Sequence, residues 1–148
     1  MKKLFIIGNP RSGTTLLRLM LTSHPKISIP AESPFIVFYY YKYGYIKNFS
    51  KLQAKKFIKD LITNISISPI SRWNIDLEEI YKLEKKIIGL SYSETIEKIY
   101  LLNPKKKKQN DLQYWGDKNT AYPNYLNILK NLFPNAKFIH IIRDPRGI

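Results

Sequence analysis

The chain has no cysteine, no long hydrophobic run and few acidic residues, and each absence excludes a class of protein. Without cysteine there can be no disulfide, no zinc–thiolate site and no thiol nucleophile. No apolar run approaches the roughly 18 residues of a membrane-spanning helix. The apolar stretch behind Met1-Lys2-Lys3 is four residues long, whereas an export signal needs about 7–15. We therefore expect no membrane span and a cytoplasmic location.

The 148-residue chain is strongly basic, because 25 lysines and arginines stand against 11 acidic residues and give a net charge of +14. A positive field of this size favours polyanions, which include nucleic acids, acidic lipids and phosphate-bearing cofactors. The dense basic run Lys105–Lys108 is predicted to be a solvated loop. No basic group carries the alternating aromatic residues of a nucleic-acid surface. We expect no nucleic-acid partner and keep a basic nucleic-acid-binding module as an alternative.

Short apolar runs predict the strands of a buried parallel sheet. Leu4–Ile7 ends at Gly8, and Phe138–Ile142 ends at a polar turn. Continuous apolar runs of this length fit strands that are buried on both faces. Ile27–Ile29 predicts one more short strand. Ligands of such sheets bind beyond the carboxyl ends of the strands, where the polar clusters of this chain fall.

Helical patterns connect the strands and fill the middle of the chain. An amphipathic helix is predicted to end near His24-Pro25, and a helical stripe covers Tyr122–Phe133. Three candidate N-caps begin helices in the middle: Ser50, Asp76 and Ser91. Residues 65–74 are predicted to form a loop. The fold class is therefore α/β, a P-loop-like open parallel sheet flanked by helices, in one domain over 1–148 with a helical insert over about 50–110.

The loop Gly8–Thr15 has the features of a phosphate-binding turn between a strand and a helix. Gly8 and Gly13 have the spacing of a P-loop, whose backbone N–H groups can surround a phosphate at a helix N-terminus. A nucleoside triphosphatase needs lysine after the second glycine, and here Thr14 stands there while the basic residue is Arg11. This difference counts against ATP hydrolysis and an obligatory metal, and leaves a P-loop small-molecule kinase as an alternative.

At this loop the chain resembles the sulfotransferases that use 3′-phosphoadenylyl sulfate (PAPS). Pro10–Leu17 is similar to their 5′-phosphosulfate loop, and the similarity reaches Glu32 and returns at Trp115–Lys118 and Phe133–Arg146. The branch resembled carries arginine in the loop and includes bacterial members and the tyrosylprotein sulfotransferases. The resemblance implies metal-free, in-line sulfuryl transfer from PAPS to a hydroxyl or, in second place, an amine. The acceptor would be a small molecule, a carbohydrate or a peptide.

The resemblance also implies a role for individual residues. The donor would be held by Arg11, Ser12, Gly13, Thr14, Thr15 and Arg143. Arg143 would bind the 3′-phosphate, the group that distinguishes PAPS from ATP. Glu32 would be the general base, and Arg11 and Lys118 would stabilise charge at the reacting centre.

Other interpretations of these residues stay open. Glu32 could form a structural ion pair or position the substrate, and Lys118 could be a solvated surface lysine. Asp117 could hold Lys118 or cap the following helix. Arg143 could form a strand-end salt bridge with Asp144.

Several residues depart from the family pattern or carry no clear signal. Pro34 stands where the tyrosylprotein branch has arginine, which counts against a peptidyl-tyrosine acceptor. His24 is predicted to cap a helix end and His140 to lie in the core. The aromatic cluster Phe35–Tyr45 is interpreted mostly as packing, with a share lining an acceptor site. Because the chain ends at Ile148 before the rest of the 3′-phosphate site, we expect an N-terminal part of a larger enzyme.

Overall fold

Four parallel strands form the sheet in the part of the chain that the structure describes. They are β1 (Lys2–Gly8), β2 (Ile27–Ser28), β3 (Tyr114–Lys118) and β4 (Lys137–Ile141), in the spatial order β2-β3-β1-β4. The computed structural model describes residues 1–64, 66–104, 111–144 and 146. The run Lys105–Lys108, for which a solvated loop is predicted, lies outside them. The parallel order confirms the predicted fold class.

Two compact units make up the chain. The sheet and helices α1 (Thr14–Ser23) and α7 (Leu126–Leu132) belong to the first unit, formed by Met1–Glu32 and by the described residues after 105. The second unit holds five helices within the described residues. They are α2 (Phe35–Tyr43), α3 (Lys51–Thr63), α4 (Pro69–Trp73), α5 (Leu77–Lys86) and α6 (Tyr92–Leu101). None of the described helices is long and apolar enough to cross a bilayer.

The two faces of the sheet bury different kinds of side chain. On one face Leu4, Ile6 and Ile29 form a core cluster against which Leu17 and Leu21 of α1 pack. Successive residues of a strand point to opposite faces, so Phe5 lies on the other side. There it contacts an aromatic group made of Trp115, Tyr122, Phe133 and Phe138.

The structure corrects the predicted sheet in two places. Strand β3 lies between β1 and β2 and was not predicted from the sequence. Its residues Asp117 and Lys118 are charged and therefore do not form an apolar run, although they are buried, at 0% and 6% exposed. The burial predicted for both faces of the last strand is wrong for β4. Its Phe138 and Ile139 are half-buried, and His140 is exposed rather than in the core.

The helices of the second unit begin at the predicted caps. Ser50 and Ser91 each form a capping box, and Asp76 accepts a hydrogen bond from the backbone N–H of Glu78. The loop predicted over 65–74 contains helix α4 instead, because Ser68 caps it and a proline is favoured in the first turn. Helix α2 buries part of the aromatic cluster, namely Phe35, Tyr39 and Tyr43.

Asp60 ties helix α3 to helix α2. Its Oδ2 accepts hydrogen bonds from Lys42 Nζ and Tyr43 Oη, each at 2.5 Å, and its backbone carbonyl accepts one from Tyr39 Oη at 2.7 Å. Burial would raise the pKa of Asp60, but the hydrogen bonds from Lys42 and Tyr43 outweigh it and hold that pKa below the ordinary 3.8. Burial and the charge of Asp60 raise the pKa of Tyr39 to about 12, so it remains a donor.

Replacing Asp60 with asparagine is expected to lower the free energy of unfolding by about 1–2 kcal/mol at neutral pH, because hydrogen bonds to charged groups are lost. The folded-state pKa is the lower one, so the contribution is complete above the unfolded-state pKa and is lost as the pH falls through the folded-state pKa. Urea unfolding of wild type and variant should therefore converge in acid. The exposed Asp111→Asn should match wild type throughout, and a gap that persists in acid contradicts the assignment.

Candidate active site

The residues singled out by the sequence lie at one edge of the sheet. All four strands are parallel, so their carboxyl ends meet there, and the register pairs Ile6 with Lys118 and Gly8 with Ile141. Glu32 follows β2 and Lys118 ends β3. The loop bearing Arg11 follows β1, and Arg143 follows β4 by two residues. The topology therefore brings all four predicted groups to the same edge.

The loop after β1 turns tightly into helix α1. The Ser12 hydroxyl donates to the Asn9 carbonyl at 2.6 Å, and the Ser12 N–H donates to the same oxygen at 3.3 Å. Arg11 and Gly13 have left-handed backbones, with φ of 64° and 97°. For an arginine this conformation costs on the order of 1 kcal/mol, a strain that is commonly stored at functional sites.

Helix α1 begins with features that favour an anion. Its N-cap is Gly13, which supplies no side-chain cap, and no acidic residue lies in its first turn. The first N–H groups of a helix have no partner within it, and they carry the positive end of the helix dipole. Thr14 is buried and Thr15 is exposed at this end. The turn can therefore bind a phosphate or sulfonate group.

Arg143 contacts the loop directly. Its Nη1 donates to the Arg11 carbonyl at 2.9 Å, so the two predicted donor-binding arginines meet. A cavity of about 210 Å³ lies beside them and is lined by Asn9, Ser12, His140, Ile141, Ile142 and Arg143. The salt bridge suggested between Arg143 and Asp144 is wrong, because Asp144 pairs with Arg146 at 2.6 Å. That arginine holds the pKa of Asp144 below its ordinary value.

Glu32 and Lys118 form an ion pair across the ends of β2 and β3. Lys118 Nζ lies 2.5 Å from Glu32 Oε2, and the two side chains are 7% and 33% exposed. The chain leading to Glu32 is tied to helix α1, because Arg18 and Thr22 both donate to the Ile29 carbonyl. Lys118 is therefore not the solvated surface residue that the sequence allowed. The pair places a carboxylate and an ammonium side by side at the ligand-binding edge.

Asp117 and Tyr122 support this edge from the opposite face of the sheet. The Asp117 side chain is fully buried, its Oδ1 accepts the Lys118 N–H at 2.8 Å, and its Oδ2 accepts a hydrogen bond from Tyr122 Oη. The proposed helix cap at Asp117 is thus wrong, since its carboxylate binds these two donors. The sequence predicted Tyr122 only as part of a helical stripe and did not identify it as a partner of Asp117. It also did not identify His140 as a residue that lines the cavity.

A profile of the sulfotransferase family matches residues 3–148 of this sequence. The chain belongs to the sulfotransferase family. The match covers β1 from its second residue onward and every later element, so it extends from the first loop through the helices of the second unit.

Individual relatives agree with the family. The chain is 28% identical to human protein-tyrosine sulfotransferase 1 over 147 residues, which are 99% of this chain and 32% of that protein. The Danio rerio protein of the same name is 27% identical over 147 residues, 34% of its length. The chain thus spans about a third of the length of the curated relatives it matches.

A solved structure shows the same fold. The sulfotransferase domain of the Synechococcus PCC 7002 olefin synthase superposes with a TM-score of 0.57 at 21% identity, over 98% of this chain and 49% of that one. At 21% identity the likeness shows that the two chains share a fold.

Proposed function

We propose that the protein transfers a sulfuryl group from PAPS to a hydroxyl acceptor. The observation that carries this proposal is the Glu32–Lys118 ion pair, 2.5 Å long, at the same sheet edge as the arginine-bearing loop. Sulfuryl transfer requires a group that accepts a proton, a positive charge at the reacting centre and a site that binds the donor. The ion pair can supply the first two, and the anion-binding turn can supply the third. Membership of the sulfotransferase family supports the same reaction.

The chemistry of the donor-binding edge fits the two phosphates of PAPS. The N-terminus of α1, with Ser12 and Thr15 beside it, would hold the 5′-phosphate, together with Arg11. Arg143 would hold the 3′-phosphate. A guanidinium has five N–H donors, and the Arg11 carbonyl accepts from one nitrogen of Arg143. The bound donor supplies an activated sulfuryl group.

The acid–base roles that the family resemblance implies fit the chemistry of the three side chains. Glu32 would accept the proton of the acceptor hydroxyl as its oxygen bonds to sulfur. The bond from sulfur to the phosphate oxygen breaks, and adenosine 3′,5′-bisphosphate leaves. Lys118 would stabilise the charge on that leaving oxygen and can also donate a proton. Arg11 can only stabilise charge, because a guanidinium stays protonated at any working pH.

The proposal includes several kinds of hydroxyl acceptor. The human relative is named for protein tyrosine, a phenolic hydroxyl, and a peptide acceptor is one member of the class. Pro34 stands where the tyrosylprotein branch resembled has arginine, and it follows Glu32 by two residues. We therefore propose a hydroxyl acceptor on a small molecule, a carbohydrate or a peptide, without singling out tyrosine.

Binding of adenosine 3′,5′-bisphosphate tests the donor site. Arg143→Ala is expected to weaken the affinity about tenfold or more, because hydrogen bonds between charged groups contribute about 1.5–3 kcal/mol. Isothermal titration calorimetry measures this. Arg146→Ala is the matched control. Arg146 is an exposed arginine three residues after Arg143, it pairs with Asp144, and its replacement removes the same charge. Equal affinity in wild type and Arg143→Ala contradicts the 3′-phosphate assignment.

The same preparation separates the two alternatives. Mg²⁺-dependent turnover of ATP would support a small-molecule kinase instead. Salt-sensitive nucleic-acid binding that survives the loss of both Arg11 and Arg143 would support a nucleic-acid-binding module.

A further inference from the structure

The end of strand β3 is held by a closed loop of six residues. The pairing of β3 with β1 stops at Ile6–Lys118, so the ladder gives the backbone beyond Lys118 no further support. The chain then turns: the Asn119 side chain accepts the Ala121 N–H at 2.9 Å, and the Asn119 carbonyl accepts the Tyr122 N–H at 3.2 Å. This turn carries Tyr122 back to Asp117.

The Tyr122 ring is fixed by packing before its hydroxyl makes any contact. The residue is 0% exposed, and its ring lies edge-on to Phe5 with centroids 5.9 Å apart. A 3₁₀ turn over Tyr122–Tyr125 continues directly from the loop. The hydroxyl then donates to Asp117 Oδ2. Because both partners are fully buried, neither can replace the other with water at low cost.

The Asp117 carboxylate links this tyrosine to Lys118. Its other oxygen accepts the backbone N–H of Lys118 at 2.8 Å, while the Lys118 side chain reaches Glu32 from the opposite face of the strand. The Lys118 side chain has a flexible four-carbon stem with many rotamers, so a shift of its backbone can favour rotamers in which the ammonium no longer meets Glu32. A displacement of about 1 Å at a catalytic group can cost about a hundredfold in rate.

We propose that Tyr122 and Asp117 are positioning residues that hold Lys118 in its ion pair with Glu32. Tyr122 fixes the Asp117 carboxylate, and that carboxylate binds the backbone N–H of Lys118, the last residue of β3 that pairs with β1. An effect of this positioning on the rate of transfer depends on the proposed function of Lys118. The positioning itself rests only on the contacts of Tyr122, Asp117, Lys118 and Glu32. The two can be measured separately.

The position of the Lys118 ammonium is measured by its reactivity. In wild type, acetic anhydride should label the buried, paired Lys118 slowly relative to the exposed Lys130, as read by peptide mass spectrometry. In Tyr122→Phe and in Asp117→Asn the labelling of Lys118 relative to Lys130 should rise several-fold, because the ammonium leaves its pair. Tyr125→Phe makes the same chemical change in the same turn and should leave the ratio unchanged.

A second measurement links position to function. Tyr122→Phe should lower kcat for transfer to p-nitrophenol about tenfold or more, with unchanged affinity for adenosine 3′,5′-bisphosphate. A purely structural contribution to stability would lower the urea midpoint and leave native-state labelling and kcat as in wild type. Urea unfolding of each variant therefore accompanies the labelling.

The outcomes distinguish this inference from the proposed function. Bisphosphate binding with unchanged Lys118 labelling in both variants overturns the positioning role and leaves the function standing. Increased labelling in a protein that neither binds the bisphosphate nor transfers sulfate supports the positioning and overturns the function. Failure of both variants to fold assigns the pair to stability alone and also overturns the inference.

Discussion

Gly116→Ala should destabilise the fold by about 3 kcal/mol or more, an effect at the upper end for a single methyl group. A Cβ at this position would overlap the Leu4 carbonyl oxygen and would lie 2.7 Å from the Leu4 carbonyl carbon. Both are backbone atoms of β1, and the Leu4 side chain is buried as well. Neither strand can move aside without breaking the ladder that joins them. Urea unfolding followed by far-UV circular dichroism measures the loss.

Gly89→Ala is the control that separates a clash from backbone strain. Gly89 has φ of 82°, and a Cβ there would meet nothing within 4 Å. Its replacement should cost about 1 kcal/mol through the left-handed conformation alone. If Gly116→Ala unfolds at the same urea midpoint as Gly89→Ala, the close approach of β3 to β1 is not the reason for the glycine.

The close approach at Gly116 explains why the Gly-Asp-Lys motif begins with glycine. Lys118 follows two residues later, and its register opposite Ile6 depends on β3 lying against β1. The sequence identified the motif through its resemblance to a family and assigned a role to the lysine. The role of the glycine becomes clear only in the sheet, because it depends on a backbone atom more than 100 residues away in the sequence.

Much of the fold follows from local signals in the sequence. Strand β1 contains the predicted apolar run Leu4–Ile7, and α1 ends at Ser23 with His24 as its C-cap, close to the predicted end. Helices α3, α5 and α6 begin at predicted caps. In each case the residues that determine the element lie within it or next to it, so periodicity and capping chemistry are sufficient to find it.

Two of the elements that escaped prediction, β3 and α2, are buried by partners that lie outside the element. Strand β3 contains a carboxylate and an ammonium, which are buried because Tyr122 and Glu32 bind them. Helix α2 is a run of aromatic residues buried on more than one side, so it lacks a helical period. The four site positions were reached through the family resemblance. Tyr122 was not identified, because no sequence pattern indicates that a tyrosine hydroxyl donates to the carboxylate of a residue five positions earlier.

Lys118→Met should reduce the proposed sulfuryl transfer by about a hundredfold to ten-thousandfold, the usual range for a group that stabilises transition-state charge or moves a proton. Methionine keeps most of the apolar stem and removes the charge. The affinity for adenosine 3′,5′-bisphosphate should change little, because we propose that Arg11, Arg143 and the start of α1 bind the donor phosphates. Transfer of radiolabelled sulfate from PAPS to p-nitrophenol measures the rate, and calorimetry measures the affinity.

Two further variants show whether the charge or its position matters at Lys118. Lys130→Met makes the same substitution at an exposed lysine of α7 and should transfer at the wild-type rate. Lys118→Arg retains a positive charge in a planar, wider group that cannot give up a proton, so it should recover part of the rate at most. Wild-type turnover in Lys118→Met would remove Lys118 from the reaction and leave its ion pair with Glu32 as a structural tie between β2 and β3. Full recovery in Lys118→Arg would show that a positive charge suffices, because the arginine geometry does not reproduce the 2.5 Å contact of Lys118 Nζ with Glu32.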